Sequence, residues 1–132
     1  MEKTRVVRIG ESILERNRIE GFALREELTA AGIVMVNVMS SPGSGKTTLI
    51  LRTIELLAGE VRPAVIEADV DSTVDADKFT AVGVPAVQIE TGGFCHVEAA
   101  MTRSALDELE QVSCDLIFLE NVGNLICTAQ HD

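Results

Sequence analysis

The 132-residue sequence predicts an α/β fold, a mostly parallel sheet with flanking helices. Three observations carry that expectation. The hydrophobic share is 46% and aliphatic, with Phe the only aromatic at 3%, which suits Val/Ile/Leu-rich strands buried under helices. Strand-sized apolar runs alternate with helical stretches, as βαβ units require. The polar signatures fall at the carboxyl ends of those runs, where open parallel sheets place their ligand loops.

Residues 8–31 read as a helix rich in Glu, Arg, Leu and Ala, with Leu14, Phe22, Leu24, Leu28 and Ala31 as an imperfect apolar stripe and Gly32 as its stop. Ile33–Ser40 follows as a buried first strand, β-branched at Ile33, Val34, Val36 and Val38. A second helix runs from about Lys46 to Gly59 on a face of Leu49, Ile50, Thr53, Ile54 and Leu57. Further strands are expected at Pro63–Glu67, Val84–Ile89 and Asp115–Glu120. Helices at 74–82 and 96–112 separate them, the latter with Val97, Ala100, Met101, Ala105, Leu109 and Val112 on one face. There is no internal repeat and no low-complexity segment. The expected organisation is an N-terminal helical segment over 1–32 and a nucleotide-binding domain over 33–132.

The formal net charge of −10 argues against nucleic acid or an anionic membrane as the main partner, since both need Lys and Arg clusters. The longest apolar runs, Ile33–Met39 and Leu116–Leu119, are too short to span a bilayer. No apolar core follows the charged N-terminus, so no signal peptide is read there. Three cysteines, Cys95, Cys114 and Cys127, make a poor disulfide framework and fit a reducing, cytoplasmic setting.

Ser40-Ser-Pro-Gly-Ser-Gly-Lys-Thr-Thr48 lies between a strand and a helix, the context of a phosphate-binding P-loop. Gly43 and Gly45 allow close backbone wrapping, so that amides of Gly43, Ser44, Gly45, Lys46, Thr47 and Thr48 can face phosphate oxygens. Lys46 adds positive charge for the β- and γ-phosphates, and Thr47 offers a hydroxyl to Mg²⁺. Ser40 replaces the first Gly of the usual pattern. Phosphoryl transfer is mostly positioning and charge neutralisation, so metal-anchoring acids are needed as well. Asp69, just past the second strand, and Glu120, ending the fourth, are the candidates, which makes Lys46, Asp69 and Glu120 the expected catalytic set. Asp71 and Asp77 read as solvated acids near a helix N-terminus, and Asp75 fits either role.

Cys95-His96 and Cys127 both follow strand ends. Two thiolates and an imidazole suit Zn²⁺ or Ni²⁺ and leave the coordination sphere open. An adjacent Cys-His pair is nevertheless a weak motif, and free Cys is usually a small buried apolar residue. Cys114, before an apolar strand, reads as structural. His131 fits an accessory ligand or an ordinary residue near the chain end.

Several motifs then match one family in order: Met39–Thr48, Val65-Ile-Glu-Ala-Asp69, Asp75-Ala76, Gly83-Val-Pro85, Thr91-Gly-Gly-Phe-Cys-His96 and Leu119-Glu-Asn-Val-Gly-Asn-Leu-Ile-Cys127. The chain resembles the HypB family, SIMIBI-class P-loop GTPases of [NiFe]-hydrogenase maturation. UreG-type urease GTPases are related but carry Cys-Pro-His where this chain joins Cys95 directly to His96. The resemblance implies GTP hydrolysis with Mg²⁺ and a nucleotide-dependent homodimer. It further implies Ni²⁺ or Zn²⁺ at the subunit interface on Cys95, His96 and Cys127. It also implies nickel delivery to a hydrogenase large-subunit precursor with a HypA-like partner. The family's guanine-reading Asn-Lys-x-Asp element is not found, so the chain reads as the N-terminal part of the domain, truncated at its C-terminus, with an unpaired sheet edge. The alternatives are a metal-binding assembly module that does not hydrolyse nucleotide, or a UreG-like GTPase.

Overall fold

In a computed structural model, the structure describes residues 9–39, 45–68, 74–90, 99–109 and 113–121. Four helices and four strands alternate among them: α1 (Ile9–Ala30), β1 (Val34–Val38), α2 (Lys46–Leu56), β2 (Pro63–Glu67), α3 (Val74–Ala81), β3 (Ala86–Gln88), α4 (Ala99–Glu108) and β4 (Leu116–Glu120). All strand pairings are parallel, in the order β1-β4-β2-β3. The expected mostly parallel sheet with flanking helices is what forms.

The central strands β2 and β4 alternate between two buried clusters. Ala64, Ile66, Ile117 and Leu119 point to one face and pack with Ala105 and Leu109 from the α4 side. Val65 and Phe118 point to the other and meet Ile50 of α2 and Phe79 of α3. This period-two division is why both strands read as continuous apolar runs. Cys114 packs against the first cluster, as a structural thiol would. Burial, followed by the neighbouring Asp115 charge, raises its pKa above the ordinary thiol range, with Arg62 opposing.

Helix α1 lies beside α4. Leu24 and Leu28 are buried, the Ala99 amide donates to Asn17 Oδ1 at 2.6 Å, and Arg103 bridges to Glu27 at 2.7 Å. That ion pair is solvent-exposed and contributes little on its own. Helix α3 closes at Gly83, whose φ of +82° is open to glycine at no steric cost. The Val84 and Gly83 amides donate back to the Phe79 and Thr80 carbonyls, the paired bonds of a Schellman stop.

Several expectations about burial are corrected. Strand β1 was expected to be buried, yet Val34 is 61% exposed, because among the described residues β1 has a neighbour, β4, on one side only. Leu49 was expected on the inner face of α2 and is 60% exposed, since it lies over that same uncovered margin. Ile50, Leu51 and Ile54 carry the contact instead. Phe22 and Ala100 are likewise exposed, whereas Leu14, Val97 and Val112 lie outside the residues whose side chains are described. No described helix is long and apolar enough to cross a membrane.

Candidate nucleotide and metal site

The carboxyl ends of β1, β4 and β2 converge on the N-terminus of α2. The register pairs Val38 with Glu120 and Glu67 with Glu120, so the ends of three adjacent strands are level. Gly45 caps α2 with φ +88° and ψ 26°, a left-handed conformation that L side chains rarely adopt. Gly45 has no side chain with which to cap the helix, and a helix N-terminus of this kind favours an anion. Lys46, the first helical residue, is buried, and Thr47 is half-buried; Gly45 and Thr48 are exposed.

The hydroxyl of Thr47 donates to Glu120 Oε1 at 2.6 Å, joining residues 73 positions apart. The distance is that of a charge-assisted O–H···O⁻ bond. A hydroxyl has one proton and two lone pairs, so Thr47 Oγ1 can donate to Glu120 and still present an oxygen to a cation. Glu120 is 1% exposed, and its second oxygen, Oε2, has no hydrogen-bond partner among the described residues. A buried, unspent carboxylate oxygen beside a hydroxyl is a hard-oxygen donor pair of the kind Mg²⁺ takes, so the residues present fit that ion.

Asn121 completes this corner. It is 2% exposed, its amide donates to the Val38 carbonyl at 3.1 Å, and its Nδ2 donates to Asn37 Oδ1 at 3.0 Å. These bonds fasten the end of β4 to the end of β1, the strand that leads into the phosphate loop.

Of the candidates named from sequence, the structure brings together Gly45, Lys46, Thr47 and Glu120, with Thr48 exposed on the first turn. Gly43, Ser44, Asp69, Cys95, His96 and Cys127 lie outside the described residues, as do Ser40, Asp71 and His131. Asp77 is exposed on α3, as a solvated acid would be. Among the described residues no group of three or more His, Cys, Asp or Glu side chains is set to hold a metal ion. Sequence reasoning missed Glu67 as a residue of this corner. Its signal was present: an acid ending an apolar strand two positions before Asp69, in the same place on β2 that Glu120 has on β4.

Residues 34–131 match the model of the CobW/HypB/UreG nucleotide-binding domain. The chain belongs to the CobW/HypB/UreG family. Within that family its similarity runs to HypB proteins. Hydrogenase maturation factor HypB of Azotobacter vinelandii is 47% identical over 133 residues, covering 100% of this chain and 44% of that protein. The crystal structure of HypB from Helicobacter pylori in complex with nickel superposes with a TM-score of 0.76 at 37% identity, over 83% of this chain and 52% of that one. HypB from Archaeoglobus fulgidus gives 0.68 at 38% identity, over 92% and 56%. The chain thus spans about half the length of the relatives it matches.

Proposed function

We propose that this chain is a GTP-binding and GTP-hydrolysing nickel metallochaperone of hydrogenase maturation. The observation that carries the reading is the Thr47–Glu120 bond, which links the helix after the phosphate loop to a carboxylate at the end of a neighbouring strand. That link supports the reading because a helix end suited to an anion then adjoins a carboxylate suited to a cation, the two charges a nucleotide–Mg²⁺ complex presents. The HypB names of the similar proteins, and the nickel in the Helicobacter pylori structure, support the choice of cargo.

In this reading the backbone over 43–48 binds the phosphates and Lys46 neutralises charge on the terminal ones. Thr47, Glu120 and Asp69 hold Mg²⁺, directly or through water. The ion, when bound, spreads the charge that develops as the β–γ phosphoanhydride breaks. The chain's own residues supply position: the 2.6 Å bond orients Thr47 against Glu120, and a side chain held in place has less ordering to lose on binding. Cys95, His96 and Cys127 take Ni²⁺ or Zn²⁺ as cargo, at the interface of a nucleotide-dependent homodimer. The partners are a HypA-like chaperone and the hydrogenase large-subunit precursor, and the setting is the cytoplasm.

Two substitutions in one series test this. Lys46→Ala should weaken GTP binding about 10- to 150-fold, the equivalent of a lost charge-assisted interaction of about 1.5–3 kcal/mol, while leaving bound nickel unchanged. Cys127→Ala should do the reverse, lowering nickel stoichiometry by elemental analysis at constant GTP affinity. Undiminished GTP affinity in Lys46→Ala would remove the loop assignment, and unchanged metal content in Cys127→Ala would remove the cargo site.

A further inference from the structure

Glu67 occupies the position on β2 that Glu120 occupies on β4, and the register sets the two directly opposite one another. Side-chain alternation decides which way both point. Val65 and Phe118, two residues earlier on their strands, lie in the cluster under α2 and α3, so Glu67 and Glu120 emerge on that same face. They do so at the carboxyl end of the sheet, where Lys46 opens α2. Glu67 is completely inaccessible and Glu120 is 1% exposed. Adjacent strands are about 4.8 Å apart, so two acidic side chains stand shoulder to shoulder in a region that water does not reach. The function proposed above uses Glu120 and leaves Glu67 without a role.

We propose that Glu67 is a positioning residue that makes nucleotide affinity conditional on a divalent cation. This rests on the phosphate-loop reading given above. Glu67 does not touch the phosphates; it acts through Glu120, whose Oε2 is buried and has no hydrogen-bond partner among the described residues. A nucleoside di- or triphosphate brings several negative charges to the end of α2, facing a corner that holds two acids against the single positive charge of Lys46. Without a cation, phosphates and acids repel across a poorly screened region. With a divalent cation between them, the second acid strengthens the field that holds the ion on Glu120 and Thr47. Glu67 therefore penalises metal-free nucleotide and favours the metal complex. Linkage requires the converse by the same factor: bound nucleotide raises the cation's affinity more when Glu67 is present than when it is neutral.

The test is binding of a fluorescent GTP analogue to the protein and to Glu67→Gln, each in EDTA and in saturating Mg²⁺. In the unsubstituted protein Mg²⁺ should tighten binding. In Glu67→Gln the affinity in EDTA should rise, shrinking the Mg²⁺/EDTA affinity ratio by at least about fivefold, the low end of couplings between sites. Glu67→Met, an apolar side chain of similar length that needs no hydrogen bond, supplies a second neutral variant should the amide not fold. Glu67→Asp keeps the charge and should keep the original ratio. Mn²⁺ titration followed by electron paramagnetic resonance, with the analogue bound, reads the reciprocal effect without any turnover. An unchanged ratio in the folded neutral variants, or an equal loss of affinity with and without metal, overturns the role of Glu67 alone. An unsubstituted protein that binds no nucleotide overturns the phosphate-loop reading beneath it.

Discussion

Replacing Thr47 by Val keeps the shape of the side chain and deletes the hydroxyl that donates to Glu120 at 2.6 Å. The loss is larger than one neutral hydrogen bond, because a buried carboxylate loses the one donor seen on Oε1 while Oε2 already lacks one among the described residues. Hydrogen bonds to charged groups are worth about 1.5–3 kcal/mol, and since Thr47 is half-buried the lower half of that span applies. With an unfolding entropy of about 2.1 cal/mol/K per residue over 132 residues, 1 kcal/mol corresponds to about 3.6 °C in Tm. Thr47→Val should therefore melt about 5–8 °C lower by circular dichroism in EDTA without nucleotide. Thr47→Ser, which restores the donor, should recover most of that. Adding Glu120→Gln to Thr47→Val should cost less than the sum of the two single substitutions by about 1 kcal/mol or more. A Tm within about 2 °C of the original, or single effects that add to within about 0.5 kcal/mol, would refute the bond as the element that organises this corner.

Two further outcomes follow from the core and from Cys114. Phe79 is completely buried among Ile50, Val65, Val84 and Phe118, so Phe79→Ala should cost about 3–5 kcal/mol, a large part of a typical domain's 5–15, read as a fall in the urea midpoint. Cys114 has its pKa raised by burial, then by Asp115, so the folded state favours the neutral thiol. Its contribution is complete below the unfolded thiol's pKa and is lost as pH rises through the higher folded value. Tm between pH 8 and pH 10 should fall more steeply for the original protein than for Cys114→Ala; parallel slopes would show that the thiol does not titrate with unfolding.

Much of the architecture was legible because the signals were local. Pro63–Glu67 is a continuous apolar run closed by an acid, and it is the β2 found. Lys46 was expected to open α2, because a P-loop glycine has to precede a helix, and Gly45 shows the left-handed φ that explains the residue type. Burial was less legible, since it depends on what lies alongside. Val34 and Val36 have the composition of a central strand but stand at a margin of the described sheet, and Leu49 follows them outward. In the candidate site, Thr47 and Glu120 could each be named from their own motifs, but their bond spans 73 positions and is fixed only by the strand order. Glu67 escaped notice for the same reason. Its meaning comes from the residue opposite it on β4, and no spacing along the chain records that neighbour.

The strand that feeds the phosphate loop is also the one gripped from a single flank. β1 leans on β4 alone among the described residues, while its other side opens onto an apolar trough of about 410 Å³ formed with Val36, Leu49, Leu57 and Phe118. A lever fastened along one edge transmits load differently from one clamped along both. β1 therefore has fewer packed neighbours to hold it than β4, which is paired on both sides, although both strands end at the same corner.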